Sequence, residues 1–145
     1  MSPAAIFSLV NVLPLPIWAL WILAPRSRPA RIVAESLWPW QGLAVLYLIF
    51  LCVALAGSSG EGGVAPDFGS LAGVMALFDS EWGTLAGWVH YLCFDLFVAR
   101  WVMNDAPAGG YRLAPVLFLI LMAGPVGLLL YSVGRGFFRG GPVRA

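Results

Sequence analysis

Residues 82–103 read WGTLAGWVHYLCFDLFVARWVM. The run is long and apolar enough to cross a bilayer, yet it holds the only histidine of the chain, His90, and an aspartate, Asp95, near its midpoint. An ionised carboxyl at the centre of a spanning helix costs roughly 2.5–3.5 kcal/mol on insertion scales, so such groups point to function or to a partner. At 100° per residue, Trp88, Tyr91 and Asp95 share one face. His90 lies about 140° away from Asp95 around the axis, on a face with Gly87, Phe94 and Trp101. The two titratable groups therefore meet only across a cavity that this helix borders.

Working outward, composition sets the class. Of 145 residues 61% are hydrophobic and 10% charged, where a soluble domain carries about 25% charged residues; the mean hydropathy is +0.88. A spanning helix needs about 20 mostly apolar residues, and four windows qualify: 4–24, 37–56, 82–103 and 113–133. The expectation is a single all-α domain over residues 1–145. Its architecture is a four-helix transmembrane bundle with proline-kinked first and fourth helices and a short interfacial helix before the third. The net charge of +1 and the absence of a basic run give no footing for nucleic acid. Arginine carries every positive charge, which fits a GC-rich bacterial source. Cys52 and Cys93 fall in apolar spans and read as small hydrophobes rather than a disulfide. The first window has no basic segment before it and arginines after it, so it reads as a retained span, not a signal peptide.

Prolines and glycines mark the breaks. Pro14 and Pro16 deprive the carbonyls of Val10 and Val12 of their helical partners, and Asn11 is near enough to compensate. Pro115 opens the fourth window, and Gly124-Pro125-Val126-Gly127 kinks its middle. Leu71, Val74, Met75 and Phe78 recur at helical spacing in a stretch too short to span. Asp79 and Ser80 suit the cap of the helix that follows, with Glu81 at its positive end. Gly83 and Gly87 form a GxxxG that admits another backbone closely.

Arginine placement predicts orientation. The link 25–36 has Arg26, Arg28 and Arg31, the link 57–70 has none, and Arg100 and Arg112 flank the third. The positive-inside rule then puts the N-terminus outside and the first and third links in the cytoplasm. Trp21, Trp38, Trp40, Trp101 and Tyr111 are expected to share one interfacial belt. With four crossings, Arg135, Arg139 and Arg144 would end on the wrong side, a conflict the sequence does not resolve.

For His90 the bland alternative is a satisfied polar residue at a helix interface. A metal or haem role lacks a ligand set. For Asp95 the bland alternative is pairing with Tyr91, Asn11 or Arg100. Two titratable groups beside proline-broken helices favour a polar cavity.

Four segments then carry a resemblance: FSLVNVLPLPIWALWILAPR (7–26), SLAGVMALF (70–78), LAGWVHYLCFDLFVARW (85–101) and GPVGLLLY (124–131). Together they resemble the abscisic-acid-deficient-4-like family of small membrane proteins, whose plant members are associated with neoxanthin synthesis. The family pattern falls on Asn11, Trp88, His90, Tyr91, Asp95, Arg100 and Trp101. The resemblance implies carotenoid or related isoprenoid chemistry: an isomerisation that opens an epoxide and removes a polyene proton, with no cofactor. His90 as base and Asp95 as acid suit that reaction. Trp88, Phe94 and Phe97 would line the cavity, while Asn11, Tyr91, Arg100 and Trp101 complete the substrate-binding set. The chain carries no plastid-targeting extension, so a bacterial plasma membrane is the expected location. Two rival readings are a non-catalytic carotenoid- or lipid-binding scaffold and a small proton or solute permease. The permease requires a homo-oligomer, since four spans show no inverted repeat.

Overall fold

A computed structural model describes residues 2–57, 67–106 and 112–139, the last three in their backbone only. Among these residues the fold is entirely helical: α1 (Pro3–Val12), α2 (Leu15–Leu23), α3 (Arg28–Glu35), α4 (Trp38–Gly57), α5 (Leu71–Phe78), α6 (Glu81–Asp105) and α7 (Leu113–Arg139). Tyr111, Arg144 and most of the link 57–70 lie outside the described residues.

Local chemistry sets the boundaries. Serines start four helices. The Ser2, Ser27, Ser70 and Ser80 hydroxyls accept from the N–H groups of Ala5, Ala30, Gly73 and Gly83 at 2.9–3.3 Å, which satisfies donors that a helix start leaves orphaned. The proline pair interrupts the first apolar stretch at Leu13 and Pro14, so α1 and α2 are separate helices where the sequence predicts a single kinked one.

Three helical stretches are long and apolar enough to cross a membrane: Pro3–Leu23, Trp38–Gly57 and Leu113–Gly136. The expected four-span count is thus met only in part. The 25-residue α6 is long enough, at about 37 Å of rise, but His90, Asp95, Arg100 and its polar ends lower its apolarity. A second correction concerns the first link. It holds α3, whose Ala30 and Ala34 are buried while Arg28, Arg31 and Ile32 are exposed. Two prolines and three arginines make that segment look like a loop; its apolar face makes it a helix.

The chain folds as two compact units, Met1–Pro14 with Trp38–Phe94, and Leu15–Leu37 with Asp95–Ala145. In the first, α5 packs on the start of α6 through the two glycines of the GxxxG. A Cβ at Gly83 would strike the Leu77 carbonyl, and one at Gly87 the Phe78 ring. The close approach expected there is real, and α5 makes it.

In the second unit α2 packs on α3 and α7. Trp21 is fully buried and its indole N–H donates to the Ala30 carbonyl at 3.1 Å. Trp40, in the first unit, is also buried. Neither is placed as a belt residue should be: core packing claims both rings.

The kink in α7 is sharper than a proline bend. Ala123 leaves helical geometry at φ −158°, ψ 69°. A Cβ on Gly127 would stand 2.5 Å from the Ile120 backbone nitrogen. Seven residues of straight helix separate two groups by about 10.5 Å along the axis, so the halves of α7 turn back on each other. Leu113, Val116, Leu117 and Ile120 of the first half are buried.

Candidate functional site

The site residues expected from the sequence fall into distinct neighbourhoods. In the first unit, His90 lies 4.5 Å from Phe94 and 5.4 Å from Tyr47, between ring centroids. Tyr47 comes from α4, so two helices bring their polar rings to one place. Both line a cavity of about 260 Å³ between α4, α5 and α6. Its other walls include Leu51, Ala54, Leu77, Phe78 and Ala86. Apolar lining with a few polar groups is the usual make-up of a small-molecule site, and the volume lies just under the common ~300–1,000 Å³ range.

Beside this, Asn11, Trp88 and Tyr91 come together. The Trp88 indole N–H donates to Asn11 Oδ1 at 3.2 Å, Tyr91 stacks on Trp88 at 5.7 Å, and Phe7 meets the same indole at 5.6 Å. Asn11 sits just before the proline break, so the polar amide ties α1 to α6. This cluster ties α1 to α6 through ring and amide contacts.

The second unit contains the rest. Asp95 is buried, and its carboxylate occupies the space a Cβ would take at Gly124, at the corner of α7. Arg100 donates from Nε to the Ala34 carbonyl at 2.7 Å, at the C-terminal turn of α3, where carbonyls lack helical partners. Trp101 packs edge-on against Tyr131 at 5.4 Å, with the Arg135 guanidinium over its ring at 5.3 Å. Tyr131 donates to Asp105 Oδ2 at 2.7 Å, and Arg135 pairs with Asp105 at 3.1 Å. Phe97 is exposed.

Sequence reasoning named Phe78 only for its helical spacing and Gly124 only for a kink, and it missed Tyr47, Asp105 and Tyr131. Tyr47 has a readable signal, since it is the one hydroxyl inside the second apolar window. The others act through tertiary contacts that no spacing rule announces.

These arrangements meet an independent finding. The family model described as ABA DEFICIENT 4-like matches residues 5–131. The chain belongs to this family. A relative, Protein ABA DEFICIENT 4, chloroplastic, from Arabidopsis thaliana, is 27% identical over 134 residues, which is 91% of this chain and 61% of the relative. The chain thus spans about three fifths of that ABA DEFICIENT 4 protein. No solved structure matches. All three helices named as candidate spans overlap the ABA DEFICIENT 4-like match, and together they fit a membrane protein.

Proposed function

We propose that this ABA DEFICIENT 4-like protein binds a carotenoid or related isoprenoid within the bilayer and isomerises one of its end groups. The cavity shared by His90 and Tyr47 is the observation that carries the reading. A rod-shaped substrate lies along the membrane with its polyene in lipid, and one ring enters the cavity. In an isomerisation of the epoxide-to-allene type, a base takes a proton from a polyene carbon. The electrons of that C–H bond become the second double bond of the allene. The epoxide C–O bond breaks, and its oxygen takes a proton to become a hydroxyl. Atoms and electrons balance without a redox partner. His90 takes the carbon-bound proton. The Tyr47 hydroxyl donates to the departing oxygen. General acid–base groups of this kind contribute roughly 10²–10⁴-fold each.

Asp95, the acid expected from the sequence, enters through one variant. If Asp95→Asn loses product at normal abundance, the acid role is its own; if product persists, the role belongs to Tyr47. In the membrane, α1–α2, α4 and α6 are the crossings, α7 completes the four-element bundle, and the N-terminus lies outside. A bacterial plasma membrane is the location this reading favours.

A carotenoid-producing host, with and without the protein, tests the proposal. Chromatography of membrane extracts is expected to show a new pigment isomer of unchanged mass only where the protein is present. Pigment that co-purifies without any new isomer favours the non-catalytic scaffold instead. Extracts identical in both hosts, with no pigment on the purified protein, contradict both readings.

A further inference from the structure

The tail arginines of a four-crossing chain would lie on the opposite side from the first link, against the positive-inside rule. The geometry of α7 removes the conflict. Asp95 and Asp105 are ten residues apart on α6, about 15 Å along its axis. Gly124 rests against Asp95, whereas Tyr131 and Arg135 reach Asp105 and Trp101. From Gly124 to Arg135 is eleven residues, about 16.5 Å of helix. The second half of α7 therefore runs beside α6 in the same direction. Had α7 continued straight and antiparallel to α6, Tyr131 would lie about 25 Å from Asp105 along the axis, against the observed 2.7 Å bond. The meeting of Gly127 with Ile120 shows the first half folding against the second.

We propose that α7 is a re-entrant helical hairpin that enters and leaves the membrane on the same face, with its corner seated on Asp95. The chain then crosses fully three times. Arg26, Arg28 and Arg31 around α3, Arg100 and Arg112 around the third link, and Arg135 all lie toward one face. The Arg100–Ala34 bond ties α3 to that end of α6. Backbone that breaks its helix at membrane depth is tolerated where protein buries it, and Gly124 and Gly127 are both buried. Glycine at the corner lets the Asp95 carboxylate approach.

Single cysteines test this in the full chain, with Cys52 and Cys93 replaced by alanine. Gly57→Cys and Gly136→Cys fall where a new Cβ meets nothing within 4 Å, and Ala24→Cys is exposed. A membrane-impermeant thiol reagent is applied to intact cells and again after permeabilisation. Ala24→Cys and Gly136→Cys are expected to behave alike and opposite to Gly57→Cys, whichever face is outside. Gly136→Cys labelling together with Gly57→Cys would mean a full fourth crossing and overturn the proposal. Because all three sites are exposed or open, an unlabelled cysteine after permeabilisation also contradicts the account.

Discussion

At the scale of single residues, the polar groups separate into those that build the cavity and those that hold helices together. Tyr47→Phe keeps the ring that packs near His90 and removes only the hydroxyl. Product formation is expected to fall by roughly 10²-fold or more while pigment still co-purifies; unchanged turnover would remove Tyr47 from the chemistry. Trp88→Phe, by contrast, loses one hydrogen bond to Asn11. Hydrogen bonds between membrane helices average about 0.6 kcal/mol, so a small drop in thermal stability is expected, measured on the purified protein in detergent. A complete loss of folded protein would show that the Asn11–Trp88 contact matters far more. His90 was legible in the sequence because a lone histidine in an apolar run stands out. Tyr47 carried one signal, as the sole hydroxyl of its apolar window, but only the fold sets it beside His90.

At the scale of elements, glycines tell packed faces from open ones. Gly87→Leu displaces Phe78 and is expected to separate α5 from α6, with overpacking of about 1–3 kcal/mol and loss of the cavity wall. Gly124→Ala drives a methyl into the Asp95 carboxylate and should destabilise by a similar amount. Gly42→Ala, in α4 with nothing within 4 Å, should instead stabilise by about 0.4–1 kcal/mol. Thermal melts of the three variants check the order; a Gly124→Ala protein as stable as Gly42→Ala would mean the α7 corner is looser than described. The boundaries of α4 and α6 were readable to within two residues from hydropathy and caps. The corner of α7 was readable only as a kink, because hydropathy counts apolar residues without regard to the direction the chain takes. α3 escaped notice since its arginines mask the small apolar face of Ala30 and Ala34.

For the whole molecule, composition announced a membrane protein and the family match agrees with it. The proposed chemistry lies in the first unit, where the cavity beside His90 is proposed to support proton transfer on a bound isoprenoid. The most direct measurement purifies wild type and His90→Gln at matched abundance from the same carotenoid-producing membranes and resolves the isomers of bound and released pigment. Glutamine preserves hydrogen bonding and approximate size but cannot exchange a proton at neutral pH. Wild type is expected to yield the new isomer, and His90→Gln to carry the same pigment unconverted, with turnover lower by roughly 10²-fold or more. Equal isomer yield from the two proteins would contradict the account.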